Sequence, residues 1–217
     1  MIIIFDLDGT LLNTIDDLGY ACNYALEKEG YPTFPIEAYP AKVGNGINNL
    51  IRRALPEPER TEENILRVRA HFVPYYNAHN CNYTRPYEGI PELVTALKAQ
   101  GHLLAVASNK YQAATEKIVN HFFPGIFDVI LGEREGVERK PNPQIVFDIL
   151  ERLGVQNTEY GVQTLYMGDS LVDRDTARNA NVPFIACSWG FVPREKLVEA
   201  GIEHIIDKPQ QMIDITL

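Results

Sequence analysis

The sequence predicts an α/β protein in which a parallel sheet with helices on both faces carries an inserted helical domain. Three observations predict this fold. Short apolar runs alternate with helical patterns over most of the chain, and one long stretch after the first run has helical patterns only. Acidic residues also follow directly after two of the apolar runs, where parallel sheets place their ligand chemistry.

Five short apolar runs predict buried strands. They are Ile2–Phe5, Leu103–Ala107, Val129–Leu131, Thr164–Met167 and Phe184–Ala186. Helical patterns such as IPELVTALKAQG and NPQIVFDILERLG separate most of these runs. This alternation favours a doubly wound parallel sheet, a Rossmann-like core, over an antiparallel one.

Residues 15–82 interrupt the alternation and predict a helical insertion, the cap domain of a core formed by residues 1–14 and 83–217. The first helix of the insertion begins in TIDDLGYACNYALEKEG. Thr14 and Asp17 have the spacing of a capping box at its start, and Gly30 is a suitable stop. The segment CNYTRPYEG is the expected return to the core.

Composition and charge exclude several classes of partner. The 217 residues have a formal net charge of −9, which argues against a nucleic-acid backbone or an anionic membrane as the main partner. The three cysteines are scattered and form no CxxC pair, so we expect a reducing compartment, the cytoplasm. Asp6 ends the apolar run that begins with MIII after only a few residues, and a run this short fits neither a signal peptide nor a membrane span.

The stretch IIIFDLDGTLLNT places two acids, Asp6 and Asp8, directly behind the first apolar run. Residues two apart in an extended strand point to the same side, so the two carboxylates are expected to converge. Gly9 then lets the chain turn sharply. A turn with solvated aspartates would look the same, and only the later motifs argue against it.

Three further motifs follow. ASNK ends the second apolar run with Ser108 and Asn109, and the Ser108 hydroxyl could donate a hydrogen bond to a phosphoryl oxygen. ERKPNPQ places Lys140 ahead of a Pro-x-Pro segment that precedes a helix. LYMGDSLVD places Asp169 directly after a strand and Asp173 four residues later. Each motif alone also fits an ordinary turn, surface charge or helix cap.

Together and in this order, the four motifs resemble the phosphatase branch of the haloacid dehalogenase-like superfamily. The resemblance implies that Asp6 is the nucleophile that forms an aspartyl-phosphate. It implies that Asp8 protonates the leaving oxygen and then activates water. Ser108 and Lys140 would hold the phosphoryl oxygens and stabilise the transition state.

The same resemblance implies a magnesium site formed by Asp6, Asp169 and the backbone carbonyl of Asp8. Asp173 would orient Lys140 or a metal-bound water. The physical need is clear, because two carboxylates about 4 Å apart repel by roughly 4 kcal/mol at an effective dielectric of about 20. A hard divalent cation removes that repulsion and lets an acidic protein accept an anionic substrate.

The insertion bears on the substrate. Its segment KVGNGINNLIRRAL resembles the cap segment of phosphoglycolate phosphatases, as do the flanks YEGIPELVTALKAQGHLLAVASNK and NVPFIACSWGF. We expect the substrate-binding residues, together with Asn109, to be Lys42, Gly44, Asn45 and Gly46. Arg52 and Arg53 either add positive charge there or are solvated surface residues. The expected substrate is a small phosphate monoester, with 2-phosphoglycolate first, and the protein is expected to be a monomer or homodimer.

Other functions remain open within the superfamily: a pyrophosphatase, a nucleoside monophosphate or sugar phosphatase, or a phosphosugar mutase. A non-catalytic phosphate-binding module is disfavoured because none of the motif residues is missing. The letters GDSL at 168–171 suggest a serine esterase with Ser170 as nucleophile. His204, the only later histidine, has no acid three residues before it, and the second glycine of a nucleophile elbow is absent.

Two residues depart from the family pattern. Asn13 stands where relatives often have Asp, which concerns a helix start or hinge rather than the chemistry. Asn181 replaces a usual Gly, and we expect the turn to survive because Asn tolerates a left-handed backbone.

Overall fold

The computed structural model describes residues 1–155 and 163–216 of the chain. Its β-strands, numbered β1 to β8 in chain order, are Ile2–Phe5, Leu12–Asn13, Arg85–Pro86, Leu103–Tyr111, Val129–Glu133, Thr164–Gly168, Phe184–Cys187 and Ile205–Ile206. Its α-helices, numbered α1 to α9, are Ile15–Lys28, Ile47–Ala54, Glu62–His79, Ile90–Ala99, Gln112–Phe122, Gln144–Arg152, Leu171–Asn179, Arg194–Glu199 and Gln211–Thr216. None of these helices combines the length and apolarity needed to cross a lipid bilayer.

Within the described residues, six strands form one sheet in the order β5-β4-β1-β6-β7-β8, and the neighbouring strands are parallel. Helices flank the sheet, so the predicted α/β fold is confirmed. The five apolar runs correspond to β1 and β4 to β7. The sixth strand, β8, was not predicted, because two apolar residues are too short a run to separate from a loop.

Strand β1 lies in the interior of the sheet, between β4 and β6. Its four residues are fully buried, as expected for a strand covered on both faces. Phe5 is in register with Val106 on one side and Met167 on the other. The residues that follow Phe5, Val106 and Met167 therefore emerge together at the carboxyl edge of the sheet.

The chain divides into two compact units. One consists of Met1–Leu12 and Pro86–Leu217 and contains the six-stranded sheet. The other, Asn13–Arg85, contains helices α1, α2 and α3. Inside the helical unit α1 packs against α3, and their buried faces include Leu26 and Phe72.

The predicted capping box at the start of α1 is wrong. Thr14 makes no side-chain capping bond to the helix. Asp17, which is buried, accepts hydrogen bonds from Tyr83 N (3.1 Å), Thr84 N (2.8 Å) and Thr84 Oγ1 (2.8 Å). The physical reason is that three hydrogen bonds to the Asp17 carboxylate stabilise the fold more than a single bond from an exposed N–H at the helix start would. Asp17 thus joins the two ends of the helical unit.

Two predictions about departures from the family pattern can be compared with the backbone. Asn181 has φ 56°, so the expected left-handed turn after α7 is present without glycine. Asn13 ends β2, two residues before α1, and its Oδ1 accepts a hydrogen bond at 3.3 Å from the backbone N of Ile15, the first residue of that helix. Its side chain therefore belongs to a helix start, as expected.

Replacing Asp17 by Ala should destabilise the protein by about 1–3 kcal/mol, because it leaves the N–H and hydroxyl of the buried Thr84, and the N–H of Tyr83, without their acceptor. Urea unfolding followed by circular dichroism measures this loss. Asp16→Ala is the matched control, because it removes the same charge from the same helical turn and should change stability far less. Equal effects of the two substitutions would contradict the role given to Asp17.

Candidate active site

Strand ends bring distant acids together. Asp6 follows β1 and Asp169 follows β6, its direct neighbour in the sheet. The backbone N–H of Asp6 donates to Met167 O at 2.9 Å, so the pairing of the two strands continues to the acid itself. Asp6 and Asp169 are both buried.

A third acid completes a buried cluster. Oxygen atoms of Asp6, Asp169 and Asp173 lie within 4.8 Å of one another. Asp173 belongs to the first turn of α7, which begins directly after the strand end that carries Asp169. The sequence prediction thus placed these three acids in the same site, although they are up to 167 positions apart in the chain.

Lys140 is the cation of this cluster. Its Nζ lies 2.8 Å from Asp6 Oδ1 and 2.8 Å from Asp173 Oδ1, and its side chain is only 2% exposed. It also donates to Ala107 O at 2.9 Å and to Tyr166 Oη at 3.1 Å. Tyr166 was not predicted as a site residue, because a tyrosine inside an apolar strand is indistinguishable from a core residue.

Burial and like charge shift the protonation of these groups. Desolvation is the main cause that raises the pKa of Asp6 from 3.8 to about 7, and the negative charge of Asp173 adds to it, while Lys140 opposes both. Burial and the charges of Asp173 and Asp6 also raise the pKa of Asp169 well above its usual value. Burial lowers the pKa of Lys140, but the two carboxylates outweigh it and hold that pKa well above 10.5.

Asp8 has a different partner. Its Oδ2 lies 3.0 Å from Nζ of Lys110, a buried residue near the end of β4. Ser108, two residues earlier on that strand and also buried, accepts a hydrogen bond at Oγ from Lys110 N at 3.1 Å. Lys110 was missed by the sequence analysis. The available signal was its spacing of two from Ser108, which points both side chains to one side of an extended strand.

Small residues and donors surround Asp169. Phe191 N donates to its Oδ2 at 2.7 Å, and Thr10 Oγ1 donates to its Oδ1 at 3.4 Å. A Cβ on Gly9, whose φ is +88°, would lie 2.3 Å from Asp169 Oδ2, and one on Gly190 would lie 2.2 Å from Asp169 Cβ. Glycine at these two positions is therefore required for the carboxylate to occupy its place.

Ser170 is used as a helix cap. Its Oγ accepts from Asp173 N at 3.4 Å and its backbone N donates to Asp173 Oδ2 at 3.1 Å, which completes a capping box at the start of α7. The Ser170 Oγ also donates to Asp173 Oδ2 at 2.6 Å. The carboxylate of Asp173 therefore bridges the cap and the Lys140 ammonium. This hydroxyl has the environment of a structural serine rather than of an esterase nucleophile, which needs a histidine base.

The predicted cap residues lie in the helical unit. Gly44, Asn45 and Gly46 all have positive φ, at 103°, 63° and 83°. Lys42 places its Nζ 4.0 Å from the centre of the Phe34 ring, a cation–π contact. These residues form one loop of their own unit, and their role in substrate binding stays a prediction.

The two arginines after this loop have defined partners. Nη1 of Arg53 donates to the carbonyl oxygens of Lys42 (2.9 Å), Val43 (3.0 Å) and Gly44 (3.1 Å). Arg52 forms an ion pair with Glu62. Arg53 therefore stabilises the loop, and neither arginine is a solvated surface charge without a partner.

Comparison with known proteins assigns the family. A family model described as haloacid dehalogenase-like hydrolase matches residues 3–187 of the chain. The chain belongs to the haloacid dehalogenase-like hydrolase family. The resemblance inferred from the four motifs is thereby confirmed.

Relatives within this family match over nearly the full length. A phosphoglycolate phosphatase from Aquifex aeolicus is 30% identical over 215 residues, which cover 99% of this chain and 95% of that protein. One from Mannheimia succiniciproducens is 32% identical over 194 residues, 86% of this chain and 85% of that protein. The crystal structure of a candidate phosphoglycolate phosphatase from Lactobacillus delbrueckii subsp. bulgaricus has a TM-score of 0.92 and 34% identity, and covers 100% of this chain and 98% of that chain.

The donor set of the hydrolase fits a hard divalent cation. The cluster offers carboxylate oxygens from Asp6, Asp169 and Asp173, the ligand type that magnesium prefers. Three carboxylates share the cluster with the single ammonium of Lys140, so full ionisation leaves two negative charges to be balanced. A divalent cation would balance that charge.

The raised pKa of Asp6 predicts how stability depends on pH in the absence of metal. Between pH 3.8 and about 7 the folded protein keeps a proton on Asp6 that the unfolded chain releases, so stability falls as pH rises through this window. Asp6→Asn removes this dependence. From pH 5 to 7 the wild type should lose more stability than the variant, by on the order of 2 kcal/mol.

Urea unfolding in EDTA at pH 5 and pH 7 measures the difference. Asp16→Asn is the control and should keep the wild-type pH dependence. A wild-type protein that loses no more stability than Asp6→Asn over this window would contradict the desolvation of Asp6.

Proposed function

We propose that the protein is a magnesium-dependent phosphatase that hydrolyses a small phosphate monoester through an aspartyl-phosphate on Asp6. The observation that carries the proposal is the buried position of Asp6, which shares its cluster with two further acids and has the Lys140 ammonium 2.8 Å away. A nucleophilic carboxylate beside a fixed cation is the arrangement that transfer of a dianionic phosphoryl group requires.

The residues divide the reaction between them. A carboxylate oxygen of Asp6 attacks phosphorus, and the bond from phosphorus to the ester oxygen breaks. Asp8 gives its proton to that leaving oxygen, which departs as an alcohol. Asp8 then takes a proton from a water molecule that attacks the aspartyl-phosphate, so inorganic phosphate is released and the Asp6 carboxylate is restored.

The two acids have separate surroundings. Asp6 lies in the three-acid cluster with Lys140, whereas Asp8 pairs with Lys110 at 3.0 Å. The side chain of Asp8 is 16% exposed, so it can exchange protons with substrate and water. Ser108 and Lys140 would hold the phosphoryl oxygens.

The metal ligands proposed are Asp6, Asp169 and the backbone carbonyl of Asp8, with Asp173 as the residue that orients Lys140. The 2.8 Å contact between Asp173 and the Lys140 ammonium supports that last role. When bound, magnesium supplies positive charge that favours ionised Asp6 and attracts the phosphate dianion.

2-Phosphoglycolate is the substrate we favour. The support is the full-length similarity to proteins named phosphoglycolate phosphatase, together with the resemblance of the segment from Lys42 to Leu55 to their caps. We propose that residues 15–82 act as a cap that excludes bulk water from a small substrate. In this proposal Lys42, Gly44, Asn45 and Gly46 are substrate-binding residues.

Asp6→Asn should lower phosphate release from a generic aryl phosphate by at least about a thousandfold, because an amide cannot form the acyl-phosphate intermediate. Colorimetric assays with MgCl2 and with EDTA measure the activity, and EDTA should abolish it in the wild type. Asp16→Asn is the charge-matched control and should remain active. Full activity of Asp6→Asn would overturn the nucleophile assignment.

Ser170→Ala separates the esterase alternative, because the phosphatase account predicts that phosphate release survives, reduced only by the loss of a helix cap. The assay compares an aryl phosphate with an aryl acetate. Loss of aryl acetate hydrolysis in Ser170→Ala, with that activity kept in Asp6→Asn, would support the esterase instead.

A panel of small phosphate esters tests the substrate. We expect the highest kcat/KM for 2-phosphoglycolate, against pyrophosphate, nucleoside monophosphates and sugar phosphates. A tenfold preference for any of the others would overturn the substrate assignment and leave the phosphatase assignment in place.

A further inference from the structure

The side chain of Asn109 binds the main chain of Lys140 at both ends. Its Oδ1 accepts from Lys140 N at 2.9 Å, and its Nδ2 donates to Lys140 O at 3.1 Å. The amide thus binds both polar groups of one residue's backbone, and that residue carries the cation of the active site. We call this pair of bonds the Asn109 clamp.

Lys140 needs such a restraint. It lies in residues 134–143, a segment of the described structure between β5 and α6 that forms neither helix nor strand. A lysine side chain has four carbons and many rotamers, so a loose backbone would spread its ammonium over several positions. The ammonium instead lies within 2.8 Å of both Asp6 and Asp173.

The clamp connects this loop to the six-stranded sheet. Asn109 belongs to β4, which pairs directly with β1, the strand that Asp6 follows. Two paired strands and two hydrogen bonds therefore fix the Lys140 backbone relative to Asp6. Asn179 adds a bond from α7 to the next residue, because its Nδ2 donates to Pro141 O at 2.9 Å.

We propose that Asn109 is a positioning residue, whose side chain acts on the reaction through the placement of Lys140 and not through contact with the substrate. The inference rests on the proposed phosphatase function for its kinetic test. It differs from the substrate-binding role that the sequence suggested for this side chain, because its oxygen and one of its N–H groups already bind the Lys140 backbone.

The kinetic test is a double-mutant cycle of Asn109→Ala and Lys140→Met, assayed with 2-phosphoglycolate and with an aryl phosphate. Asn109→Ala alone should lower kcat by roughly 10- to 100-fold, as expected for a misplaced catalytic group. The factor should be the same for both substrates, with little change in KM. In the Lys140→Met background Asn109→Ala should not lower kcat further, because the ammonium that Asn109 positions is absent.

Chemical labelling tests the placement without any activity. Reductive methylation followed by peptide mass spectrometry gives the reaction rate of Lys140, with the exposed Lys196 as internal reference. Loss of the clamp should free the ammonium, so we expect Lys140 to react at least about tenfold faster in Asn109→Ala. Asn120→Ala, the same substitution on an exposed face of α5, should leave both the rate and the activity unchanged.

The outcomes separate the two proposals. A wild-type protein inactive on both phosphates contradicts the proposed function, whereas an unchanged labelling rate of Lys140 in Asn109→Ala contradicts the clamp. A loss of activity with only one of the two substrates, or a loss caused mainly by a higher KM, would indicate that Asn109 binds the substrate. An equal fold-loss of kcat on Asn109→Ala in the wild-type and the Lys140→Met backgrounds would also overturn the positioning role.

Discussion

The structure depends on one buried cation between acids. Lys140 contacts Asp6 and Asp173 at 2.8 Å inside the protein, where an unpaired charge would be costly. Removing the ammonium would leave a buried group of carboxylates with no counter-ion of its own. The elements that reach this point, the ends of β1, β4 and β6 and the start of α7, are therefore constrained to meet there.

The same balance connects the fold to its chemistry. Burial, together with the negative charge that Lys140 leaves unbalanced, raises the pKa of Asp6 to about 7 and that of Asp169 well above its usual value. A site of this kind gains stability from a divalent cation and, with the cation present, from a phosphate dianion. Membership of the haloacid dehalogenase-like hydrolase family agrees with this chemistry.

Sequence reasoning succeeded where the signal is local. The buried strands are short apolar runs, so the parallel sheet could be predicted from them. The acids at the strand ends are visible as motifs, and the family resemblance of those motifs implied that Asp6 and Asp169 meet. It failed where the partner lies far away in the chain. Asp17 has the spacing of a capping residue, but its acceptor oxygens bind Tyr83 and Thr84, 66 and 67 positions later. The clamp of Asn109 on Lys140, 31 positions apart, could not be predicted for the same reason.

The most direct test of the central claim is a titration of the protein with Mn2+, which substitutes for magnesium. Electron paramagnetic resonance measures how much Mn2+ is bound. The wild type should bind one ion at the three-acid cluster. Asp169→Asn should weaken that binding by at least about tenfold, as expected for the loss of a charged ligand, while Asp16→Asn should bind as the wild type does. Equal affinity of wild type and Asp169→Asn would show that the buried acids do not form the metal site.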